Sequence, residues 1–72
     1  MPEFTHTQYE ILERAIITGK RISAFRRGTE YVVVPKRLRT ISGREAVEAT
    51  HPTTGEEITL YLDEVDSLEV VR

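Results

Sequence analysis

Between Lys20 and Arg44 the chain carries eight basic residues and one acid, Glu30, whereas from Glu45 to Val71 it carries eight acids and neither lysine nor arginine. Guanidinium and ammonium groups at that density suit phosphate recognition, which makes Arg26, Arg27, Lys36, Arg37, Arg39 and Arg44 candidate phosphate ligands. Tyr61 and Phe25 offer ring faces on which bases stack, so single-stranded RNA or DNA, or a nucleotide, is the ligand class these ingredients suggest. The acids Asp63, Glu64, Asp66 and Glu69 suggest a different chemistry, contact with a basic protein partner, for instance one that acts in transcription. A third reading needs no ligand: basic strands lying beside acidic ones neutralise each other across a sheet. Phe25 and Tyr31 then belong to the core, because five aromatic residues are all this chain has to fill one.

The remaining reactive side chains point away from catalysis. His6 and His51 are the only histidines, and neither has another strong ligand at metal-site spacing. Asp63, Glu64 and Asp66 lack the glycine and the distal glutamate of a calcium loop, and acids at a turn commonly cap it. Ser23, Ser42 and Ser67 have no evident base and no strand-to-helix elbow. There is no glycine-rich phosphate loop. The expectation is a non-enzymatic binding module that needs neither metal nor cofactor.

These residues must be positioned by short elements. Thr5 with Gln8 and Thr7 with Glu10 form two overlapping capping boxes, and Phe4 stands as a staple to Tyr9. A helix over about 8–18 follows, with Tyr9, Leu12 and Ile16 on one face, widened by Ile11 and Ala15, and with Glu10 one turn before Arg14. Gly19 ends it as a left-handed cap. A first strand over 21–26 turns at Arg27-Gly28-Thr29 into a longer one beginning at Glu30, in which Pro35 requires a bulge or an edge. Ser42-Gly43 is a two-residue hairpin turn, so Leu38 faces Val47 and Arg37 faces Glu48, with Arg37 and Arg39 outward. The third strand runs from Arg44 to Thr50 and ends in the turn-rich loop His51–Gly55. Ile58, Leu60 and Leu62 then alternate with Thr59, Tyr61 and Asp63 as a fourth strand. The alternation slips, and Val65, Leu68 and Val70 resume it if Asp63–Asp66 form a tight 3₁₀ hinge into a fifth.

Seventy-two residues make one domain, 1–72, near the lower limit for independent folding, and such a domain buries only about 60% of the surface its unfolded chain exposes. The absence of cysteine excludes a disulfide framework and suits a reducing compartment. No apolar run nears the roughly 20 residues of a membrane span, and Met-Pro-Glu-Phe has no basic region ahead of an apolar one; a soluble, cytoplasmic protein with no membrane partner is expected. The fold class is mainly β (α+β): an N-terminal helix and a five-stranded small barrel of Sm-like or SH3-like plan over about 20–72.

Val33-Val34-Pro35-Lys36-Arg37-Leu38, then Arg44-Glu45-Ala46-Val47, then Leu60-Tyr61-Leu62-Asp63-Glu64-Val65-Asp66-Ser67-Leu68-Glu69-Val70 resemble a WYL domain, over about Leu12 to Val71. The resemblance implies an Sm-like SH3 barrel, a module usually carried by bacterial transcription regulators behind a winged-helix domain, where it senses a ligand that is often single-stranded nucleic acid. The Trp-Tyr-Leu triplet of that family corresponds here to Glu45-Ala46-Val47, and the arginines usual around its Leu-Asp pair correspond to Tyr61 and Glu64. The fold therefore transfers more readily than the ligand contacts. The plan is also similar to that of the Rof family, small free-standing Sm-like barrels that inhibit the Rho termination factor through an acidic surface. A binding module with either a nucleic-acid ligand or a protein partner is thus expected, and a barrel that only dimerises is a third, plainer possibility.

Overall fold

The computed structural model of the chain describes residues 6–71. Their order is α1 (His6–Thr18), β1 (Ile22–Arg26), β2 (Thr29–Ile41), β3 (Arg44–Thr50), β4 (Glu57–Tyr61), a 3₁₀ turn (Leu62–Glu64) and β5 (Val65–Val70). The chain is therefore mainly β, with one N-terminal helix.

Helix α1 starts at His6, two residues before the expected position, so Thr7 lies inside the helix and does not cap it with Glu10. Thr5 and Phe4, the other expected cap and the staple, lie outside the described residues. Leu12 and Ala15 are buried, and Tyr9, Ile11 and Ile16 pack against the same cluster, as their spacing requires. Ile17 falls off that stripe and is 83% exposed. At the C-terminus Gly19 takes φ 69°, and the Lys20 N–H donates to the Ala15 carbonyl at 3.0 Å, the six-to-one bond of a glycine-terminated helix.

The strands form one antiparallel sheet in the order β4-β3-β2-β1-β5. Two-residue turns join the first three strands. Arg27 and Gly28, then Ser42 and Gly43, all have positive φ, which matches the strand twist in a way ordinary turns do not. The second turn sets the expected register, Leu38 opposite Val47 and Arg37 opposite Glu48. Pro35 pairs with Ala49 and Arg37 with Glu48, so Lys36 is the extra residue of a bulge beside the one residue that has no N–H to donate. The bulge keeps β2 continuous through Pro35, which is itself buried.

The slip in alternation after Leu62 has two causes rather than one. The 3₁₀ turn occupies Leu62–Glu64, one residue earlier than the expected hinge. A second bulge then follows: Phe25 pairs with Ser67 but Arg26 with Val65, which leaves Asp66 unopposed. That extra residue is why the buried side chains Val65 and Leu68 stand three apart.

One face of the sheet carries Ile22, Ala24, Val33, Val47, Leu60 and Leu68, closed by Leu12 and Ala15 of α1. The sheet is open: β4 and β5 are its edges, and no ladder joins them, so closure into a barrel is not among its features. It is nevertheless curled. In a flat sheet the two edge strands would lie about 19 Å apart, four spacings of roughly 4.8 Å, whereas the link from Tyr61 to Val65 can span at most about 14 Å. The edges must approach where the 3₁₀ turn joins them.

Candidate functional site

The turn ends of the sheet gather most of the charged residues singled out in the sequence. Arg44 opens β3 and meets the 3₁₀ turn that follows the neighbouring strand, β4. Its Nε donates to Asp63 Oδ2 at 3.0 Å and its Nη2 to Asp63 Oδ1 at 2.8 Å, a two-pronged pairing that matches the planes of both groups. The same Nη2 lies 3.2 Å from Glu64 Oε2, and the guanidinium carbon stands 4.0 Å from the centre of the Tyr61 ring. Arg44 holds the Asp63 carboxyl below its ordinary value. In return Asp63, and then Glu64, push the guanidinium still further above its ordinary range.

Glu64 serves two further arginines. Arg26 Nη1 is 3.8 Å from one carboxylate oxygen and Arg27 Nη2 is 4.0 Å from the other, so one acid of the 3₁₀ turn links the β1–β2 turn to β3. Arg26 also donates to Tyr31 Oη at 3.0 Å, with its guanidinium 4.8 Å from that ring. Asp66, the bulged residue of β5, accepts the backbone N–H of Arg27 at 3.1 Å. The acids therefore do not cap the 3₁₀ turn, which has no side-chain cap. Asp63 and Glu64 engage the side chains of Arg26, Arg27 and Arg44 instead, and Asp66 the backbone of the β1–β2 turn.

On the outer face, Arg37 and Arg39 stand two residues apart on β2 and converge on one carboxylate of β3. Arg37 Nε reaches Glu48 Oε1 at 2.6 Å, and Arg39 Nη1 reaches Glu48 Oε2 at 2.7 Å. Arg37, and then Arg39, hold the Glu48 carboxyl below its ordinary value. Beside this clamp a groove of about 430 Å³ runs over Lys36, Arg37, Glu48, Thr50, Glu57 and Thr59. Lys36 has no side-chain partner among the described residues.

The two charge blocks of the sequence thus interleave. Arg26, Arg27, Arg37, Arg39 and Arg44 are all set against carboxylates, and Tyr61 has one face under Arg44. Asp63, Glu64 and Asp66 are engaged as well; Glu69, exposed on β5 opposite Ser23, is apart from them. Tyr31 packs against the core, as expected, whereas Phe25 is half-buried next to Ser23 and Glu30, outside the main cluster. The Ser23 hydroxyl donates to the Glu30 carboxylate. The Tyr9 hydroxyl donates to Glu45, which pushes the phenol up to about 12. His51 is exposed, its Nδ1 accepting the Thr53 N–H at 3.3 Å.

A second surface escaped the sequence reading. Between α1 and β5 lies a groove of about 930 Å³, floored by Ile11, Ala15, Val70 and Val71 and rimmed by Arg14, Lys20 and Arg21. Glu10 does not pair with Arg14; its carboxylate lies 2.9 Å from His6 Nε2. None of the three cations has a side-chain partner among the described residues. They are missed in the sequence because the floor comes from segments 55 to 60 positions apart, and only the return of β5 beside β1 brings those together. No helix is long and apolar enough to cross a membrane among the described residues. Comparison with protein-family models, curated proteins and solved structures gave no match, so the fold and the site stand on their own geometry.

Proposed function

We propose that this chain is a non-enzymatic binding module whose partner is a protein. One observation carries the reading: the arginines expected to hold phosphates are set against carboxylates of neighbouring strands, while Arg14, Lys20 and Arg21, three of the four cations without side-chain partners among the described residues, border an apolar groove at a sheet edge. A single strand of nucleic acid would have to displace Glu48 from two arginines and Asp63 from a third. The acidic alternative changes in the same way, because Asp63, Glu64 and Asp66 are engaged within the fold. A module of Sm-like type agrees with the strand order, in which β5 returns to β1, and with the approach of the two edges at the 3₁₀ turn.

Nucleic-acid binding is the second reading, favoured by one feature. The Arg27 and Arg37 side chains are 81% and 71% exposed, and exposed ion pairs contribute little, so a polyanion can compete for them beside the unpaired Lys36. The test is anisotropy with labelled single-stranded RNA and DNA at about 50 and 200 mM salt, using Arg37→Glu/Arg39→Glu as the control. The protein-partner reading expects no measurable binding at either salt. Tight binding that weakens steeply with salt and vanishes in the control would replace it with the nucleic-acid reading.

A further inference from the structure

We infer that the groove between α1 and β5 receives an extended, acidic segment of a partner protein, which adds as a strand to the free edge of β5. The inference rests on the protein-partner reading and specifies its site. β5 is the last strand of the ladder, so its outer edge is unpaired among the described residues. The pairing with β1 fixes which of its groups are free. The Val71 N–H donates to the Arg21 carbonyl at 2.9 Å, which makes Arg21 and Val71 a hydrogen-bonded pair and turns the N–H and C=O of Val70 to the opposite side. Val70 lines the groove, and its outward backbone groups stand on the free edge of β5 beside it. Burying such groups is favourable only when they are hydrogen-bonded, and the backbone of an added strand supplies partners at the right spacing.

Side chains define the occupant further. The floor, Ile11, Ala15 and Val70, accepts an aliphatic side chain at every second residue of a strand. The rim supplies Arg14, Lys20 and Arg21. The acids nearby do not cancel them: Glu10, which lines the groove, faces His6, and Glu69 lies on the far side of β5, outside the lining. The helix positions that line the groove run from Thr7 to Thr18, about 16 Å, comparable with an extended segment of about five residues. Carboxylates alternating with aliphatic residues match this rim and floor.

The experiment uses the whole chain and a fluorescein-labelled hexapeptide of alternating Asp and Val, read by anisotropy. Three comparisons separate the components: a Lys-for-Asp peptide, a peptide N-methylated at alternate residues, and the Arg14→Glu/Arg21→Glu variant, with its thermal midpoint checked against wild type. The expected result is saturable binding, weakened about tenfold or more in the variant and lost with either altered peptide. Equal affinity in the variant, or full binding of the N-methylated peptide, would overturn the site. Self-association in sedimentation with no peptide binding would overturn it too, by giving the groove to a second copy of the chain. If the peptide fails and nucleic acid also fails to bind, the groove alone is wrong. If single-stranded RNA binds and the Arg37→Glu/Arg39→Glu variant loses it, the protein-partner reading falls as well.

Discussion

Replacing Leu12 with alanine tests whether α1 is held to the sheet by the face described above. Leu12 is fully buried and is the largest buried side chain that the helix contributes to the core. Deleting most of a buried leucine loses its transfer free energy and leaves a cavity that close-packed neighbours fill only in part, together about 2–5 kcal/mol. With the sheet fixed on one side by strand pairing, collapse into the gap is limited, and about 3 kcal/mol is the expected loss. For a 72-residue chain, total stability is on the order of 4–11 kcal/mol, so this is a large share of it. The thermal midpoint should fall by about 12–24 °C, at roughly 4–8 °C per kcal/mol for a domain of this size. Ile17→Ala is the control, since that side chain is 83% exposed and should move stability by no more than about 0.5 kcal/mol. Urea unfolding followed by circular dichroism measures both, with an unchanged slope required for the comparison. A Leu12→Ala loss below about 1 kcal/mol, or an Ile17→Ala loss as large, would show that the helix does not dock by this face, and the groove beside it would go too.

Two further outcomes follow from the carboxylates and turns. Glu48 and Asp63 are both held below their ordinary values of 4.5 and 3.8 by arginines, so their contribution is present above those values and is lost as pH falls through the lower folded ones. Glu48→Gln and Asp63→Asn should therefore lower stability at neutral pH and flatten the acid side of the profile; denaturant midpoints with wild-type acid dependence in both variants would contradict this. Gly43→Ala should cost about 1 kcal/mol although open space surrounds the position, because φ is 77° and a Cβ disfavours that backbone. Gly43→Asn should recover part of the loss, and equal melting of all three proteins would remove the turn assignment.

Local chemistry made much of this fold legible. Ser42-Gly43 sets a register that carries Leu38 to Val47, Gly19 marks the end of α1, and Pro35 demands the bulge that Lys36 provides. The Asp66 bulge was hidden because a shift of one residue in alternation looks the same whether a 3₁₀ turn, a bulge or both produce it. The ion pairs were hidden for a different reason. Arg26 and Glu64 are 38 positions apart and meet only because the 3₁₀ turn comes round beside the β1–β2 turn. Charge counted along the chain separates two blocks, whereas strand order shuffles them together. The groove at β5 has no local signature at all: Arg14 appears satisfied by Glu10 at helical spacing, until His6 takes the carboxylate.

The link of three residues from β4 to β5 also orders events in time. The pairings of β1 with β2 and of β2 with β3 close through two-residue turns, and that of β3 with β4 through a short loop, so each loses little loop entropy and can form early. β5 must instead find β1 across the 38 residues 27–64, and is expected to do so only after the meander has brought the 3₁₀ turn round. It is expected to be the last strand to join and, like β4 at the other edge, is held by a single ladder, so the two edges are expected to open before the centre of the sheet. A partner strand laid along its outer edge would give β5 neighbours on both sides, and occupancy would thereby be coupled to the integrity of the fold through mass action.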